Sequence, residues 1–116
     1  MKPTLKQIVA DRKAATARLE AEAPILREGF GQMVAAYYKP GAMDLREKEL
    51  AAISCSVALC CVPALANHIA NAVDAGATRE QVIEAAAIGV EFGGGAAYTV
   101  ARDHLLDFLD EVAGSF

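Results

Sequence analysis

Apolar residues recur along most of this chain at three- and four-residue intervals, the period of a helix with one buried face. Leu5, Ile8, Val9 and Leu19 follow that period, interrupted by Arg12, and Thr4 stands where an N-cap is needed. They predict a first helix over about 5–21. Pro24, tolerated in a first turn, opens a second helix to about residue 38, and Lys39, Pro40 and Gly41 end it. Asp44 reads as the next N-cap, with Leu45, Arg46, Glu47 and Lys48 in the first turns and an alanine-rich body reaching about Leu59. Pro63 imposes a boundary. A fourth helix starts there and carries Asn67, His68 and Asn71 to about Asp74.

Gly76 closes that helix from the C′ position. Thr78 to Gln81 forms a T-x-x-Q capping box, followed by Val82, Ile83, Ala86, Ala87 and Val90 on a face expected to be buried. The Gly93–Gly94–Gly95 run breaks the chain again. A last helix over about 96–112 is expected to bury Tyr98, Ala101, Leu105, Phe108, Leu109 and Val112. The pattern contains no internal repeat and no linker, so residues 1–116 read as one all-α domain of about six helices.

Composition agrees. Alanine, the best helix former, makes up roughly a fifth of the chain. Hydrophobic residues at 54% exclude intrinsic disorder. A net charge of −4 argues against nucleic acid as a partner, because phosphate binding needs a basic face. The mean hydropathy of +0.26 is high for a chain of 12.2 kDa, which leaves much of its surface outside when it folds alone. Such a surplus points to a homo-oligomer.

The longest weakly polar stretch, Leu50 to Asn67, contains Pro63 and three cysteines and is no membrane span. The first residues, MKPTLKQIVADRK, carry charges throughout and lack the apolar core of a secretory signal. An odd set of three cysteines then suggests a reducing compartment, and the expected location is cytoplasmic.

Candidate chemistry is sparse. Cys55, Cys60 and Cys61 are too crowded for a zinc site, which needs two separated ligand pairs. Adjacent Cys60 and Cys61 have Cα atoms about 3.8 Å apart, under the usual disulfide range, so free thiols are expected. Cys55, inside an apolar helix, reads as a small core residue. Cys60 and Cys61 lie at a helix N-terminus, where the dipole favours a thiolate; the alternative is a pair of buried thiols in a hinge. His68 lies mid-helix, and His104 beside Asp103 reads as part of a solvated face. Arg79 and Arg102 are the possible anchors for a carboxylate, against plainer readings as a capping-turn and a surface residue.

The segment LREKELAAISCSVALCCVPALANHIANAVDAGATREQVIEAAAIGVEFGGGAAYTVARDHL, from Leu45 to Leu105, resembles the carboxymuconolactone decarboxylase and alkylhydroperoxidase D superfamily. NHIANAVDAGATREQVIEAA and the glycine turn after it carry most of that resemblance. The peroxidase branch has the motif E-x₁₁-C-x₂-C-x₃-H. On this sequence it falls on Glu49, Cys61, Ala64 and His68, with Ala64 replacing the second cysteine. Residue 64 is one turn before His68, whereas Cys61 is about 10 Å away along a helix axis. His68 could serve a thiol at position 64 and cannot easily serve Cys61.

The decarboxylase branch lacks the dithiol and keeps the histidine. The resemblance therefore implies an oligomeric helical bundle, a trimer or hexamer, acting on a small molecule without metal or organic cofactor. His68 and Glu49 would supply acid/base chemistry on a small carboxylated lactone or keto acid. One alternative is a thiol-dependent peroxide reductase using Cys61 and a thiol from elsewhere. Another is a member that keeps the fold and has lost the chemistry.

Overall fold

The computed structural model describes residues 2–113, whose regular structure is all helical. In chain order these are α1 (Leu5–Glu22), α2 (Pro24–Tyr37), α3 (Leu45–Ala58), α4 (Val62–Asp74), α5 (Arg79–Val100) and α6 (Leu106–Ala113). A five-residue π-helical turn, Ala101–Leu105, joins the last two. The starts follow local chemistry. Thr4 with Gln7, Asp44 with Glu47 and Thr78 with Gln81 each close a reciprocal capping box. Pro24 and Pro63 occupy first-turn positions, where no backbone N–H is required.

The glycine run does less than the sequence suggests. The chain leaves helical geometry only at Gly94 (φ 72°, ψ −150°), and helix continues on both sides of that kink. Two other positions take positive φ and end helices. Gly76 (φ 99°) stands at C′ of α4, with Gly76 N–H donating to Val73 O and Ala77 N–H to Ala72 O. Cys60 (φ 55°) does the same for α3, with Cys60 N–H donating to Val57 O and Cys61 N–H to Ser56 O. Both are Schellman closures, one of them built without glycine.

The core sits where α3 packs on α4 and α5. Ile53, Val57, Leu65, Ile69 and Val82 are fully buried there, each worth about 1.5–3 kcal/mol of transfer energy, and α6 adds Phe108 and Leu109. The α3–α5 crossing is close because Gly89 has no side chain; a Cβ there would stand 2.4 Å from Ser54 O. Ser54 Oγ in turn donates to Ala85 O at 2.7 Å, pinning the two helices together.

Several apolar positions expected inside lie outside. Ile83, Ala87 and Tyr98 are exposed and Ala101 is half-buried, because the buried positions of α5 are Val82, Ala86, Gly89 and Ala97 and nothing among the described residues covers its other face. α2 buries none of its residues. No helix among the described residues is long and apolar enough to cross a membrane.

Candidate active site

Glu49 belongs to the stripe of α3 that also carries Ile53, Ser56 and Val57, so its carboxylate is carried into the core. It is only 5% exposed. A buried carboxylate needs a donor. His68 of α4 provides one, with Nδ1 2.7 Å from Glu49 Oε2. The carboxylate accepts, so Nδ1 carries the proton and Nε2 is the ring nitrogen left for other chemistry.

Tyr38, at the C-terminal end of α2, lies against the imidazole with ring centroids 5.9 Å apart and planes 11° from parallel. Burial raises the Tyr38 phenol above its ordinary pKa, and the negative charges of Glu49 and Cys55 add to the rise. The histidine is thus held by a carboxylate at one nitrogen and by an aromatic ring on one face.

His68 opens onto a cleft of about 570 Å³ between the end of α2, α3 and the start of α4. Its wall is mostly apolar, formed by Tyr37, Met43, Ala51, Ala52, Leu59 and Ala64. Polar groups reach it from Lys48, Ser56, Cys55 and Cys61. Ala64 stands one turn before His68 on the same cleft, at the position of the missing motif cysteine.

The thiols depart from expectation. Cys55 is exposed and lines the cleft, because the buried stripe of α3 runs through Ile53, Ser56 and Val57 and leaves position 55 beside it. Cys60 and Cys61 are exposed as well, so the hinge holds no buried thiol pair. Cys61 is the N-cap of α4. Among the described residues, no three His, Cys, Asp or Glu side chains converge on a point that could hold a metal.

Neither arginine reaches the cleft. Arg79 pairs with Asp110 at 2.9 Å, and Arg102 pairs with Asp103 at 2.8 Å. His104, expected in a solvated face, is half-buried and stacks on Phe108. The cation that does line the cleft is Lys48, which a sequence reader passes over as one more first-turn charge. Tyr38 escapes notice for a similar reason, since it sits at a helix end with no periodic partner.

The all-helical bundle thus brings a carboxylate-held histidine onto the wall of a mostly apolar cleft. The model of the carboxymuconolactone decarboxylase family matches residues 22–106, and the chain belongs to that family. It is 36% identical over 78 residues to uncharacterized protein 4 in the cox locus of Paracoccus denitrificans, covering 67% of this chain and 69% of that one. A family member from Legionella pneumophila has a crystal structure that superposes with a TM-score of 0.83 at 32% identity, covering 91% of this chain and 95% of that one. Another, from Thermotoga maritima, superposes with a TM-score of 0.83 at 26% identity over 92% of this chain and 90% of its own. For the Thermotoga protein a role in an antioxidative response has been suggested.

Proposed function

We propose that the protein is an acid/base enzyme acting on a small carboxylated lactone or keto acid, with His68 as the proton-transfer group and Glu49 as its orienting partner. The 2.7 Å contact between His68 Nδ1 and Glu49 Oε2 carries this reading. It fixes the tautomer, leaves Nε2 free of the carboxylate and stabilises an imidazolium when one forms. As the carbon–carboxylate bond of a bound keto acid breaks, its electron pair passes into the adjacent carbonyl as an enolate. His68 Nε2, protonated from water so that the ring is an imidazolium held by Glu49, donates that proton to the carbon that has lost carbon dioxide, and the neutral ring with its Nδ1 proton on Glu49 is regenerated. The mostly apolar wall holds the substrate body.

The test is carbon dioxide release from a panel of small β-keto acids and carboxylated lactones. His68→Gln is expected to lower turnover roughly 10²–10⁴-fold with the fold intact. A His68→Gln variant that turns over as fast as the parent overturns the proposal. A second reading, thiol-dependent peroxide reduction through Cys61, is favoured by one observation: Cys61 and Cys55 line the same cleft as His68.

A further inference from the structure

We infer that Lys48 is the specificity-determining residue of this cleft, selecting a ligand with one carboxylate on a compact apolar body. The inference rests on the acid/base reading of the same cleft and adds the group that recognises the substrate. Lys48 is half-buried on α3 and lines the cleft. Its ammonium donates to Tyr37 O, on the last residue of α2, and to Lys39 O just after it. An ammonium has three donors, so one remains. Among the described residues no carboxylate pairs with it. The carboxylate next to it in sequence, Glu49, is engaged by His68.

A partly desolvated cation without a counter-charge favours an anion at that spot. The two carbonyls hold the side chain in place, so little rotamer freedom remains to be lost on binding. One free donor and an apolar surround suit a monoanionic carboxylate; a phosphate dianion would need more donors than the wall offers.

The experiment titrates 5-oxotetrahydrofuran-2-carboxylate and its methyl ester against the full-length protein, following amide resonances by NMR. The acid is expected to bind roughly tenfold or more tightly than the ester. Lys48→Met should erase that preference by weakening the acid alone, and Lys48→Arg should restore most of it. Equal binding of acid and ester by the parent protein overturns the inference. So does an equal loss of both in Lys48→Met, which would make Lys48 a strut for the end of α2. His68→Gln should keep the preference for the acid. Lost preference in Lys48→Met with full turnover in His68→Gln would leave Lys48 standing and remove the acid/base proposal; the converse pattern would do the reverse.

Discussion

Glu49 and His68 stand nineteen residues apart in sequence and 2.7 Å apart in space, and theirs is the contact around which the cleft is organised. Because Glu49 is nearly sealed from water, removing His68 strands its carboxylate. A double-mutant cycle of Glu49→Ala and His68→Ala is expected to give a coupling of about 1.5–3 kcal/mol, the range for a hydrogen bond to a charged group. Urea denaturation of the four proteins measures it. A coupling near zero would mean that the contact is not maintained in solution.

Tyr38 gives the site an alkaline signature. Its phenol pKa is raised above 10.0, first by burial and then by the charges of Glu49 and Cys55. Between the ordinary phenol value and the raised one, the folded protein holds a proton that the unfolded chain has released. Tyr38 therefore contributes stability that is complete below the ordinary value and is lost as pH rises through the raised one. Tyr38→Phe is expected to flatten that alkaline loss. The difference in ultraviolet phenolate absorbance between the parent and the variant should place the Tyr38 step above the ordinary phenol pKa.

The two Schellman closures make a matched pair. A non-glycine residue in the left-handed region costs about 1–2 kcal/mol, and Cys60 bears that cost at φ 55°. Cys60→Gly is expected to stabilise the protein by about 1 kcal/mol, or roughly 4 °C in Tm. Gly76→Ala, at φ 99°, should cost a similar amount. Thermal unfolding followed by circular dichroism decides both signs.

Local chemistry made the helices legible. Thr4, Asp44 and Thr78 each stand three residues before a Gln or Glu that returns the capping bond, so the starts could be read directly. Burial was less legible. A 3.6-residue period identifies an apolar face and does not reveal whether the same chain covers it, which is why Ile83 and Tyr98 were expected inside and lie outside. The juxtaposition of Glu49 with His68 was legible only through the family motif, since periodicity says nothing of the register between two helices. Cys55, Lys48 and Tyr38 depend on how three elements meet, and no single stretch of sequence encodes that.

We propose the exposed apolar face of α2 as the contact of a homo-oligomer. α2 buries nothing, and Leu26, Phe30, Met33 and Tyr37 form a stripe along it at helical spacing, exposed by 42% or more. We place the contact of the expected trimer or hexamer on this stripe. Leu26→Glu combined with Phe30→Glu should shift the protein toward single chains in sedimentation equilibrium. A parent protein already sedimenting near 12.2 kDa at micromolar concentration would remove the oligomer from consideration.

Ala64 offers the sharpest test between the two chemistries. It lines the cleft one turn before His68 on α4, and Cys61 caps the same helix. The parent protein is expected to consume little hydroperoxide with a dithiol reductant, because the position within reach of the histidine carries a methyl group. Ala64→Cys places a thiol there, near a helix N-terminus that favours the thiolate. That thiolate attacks the peroxide oxygen, the O–O bond breaks and an alcohol leaves. Cys61 then displaces water from the sulfenic acid to form the disulfide, and the external dithiol reduces it again. Peroxide consumption should rise roughly tenfold or more in Ala64→Cys, and the gain should vanish when His68→Gln is added. If the parent protein already matches the variant, Cys55 or Cys61 is a competent nucleophile as it stands, and peroxide reduction displaces the lactone or keto acid chemistry.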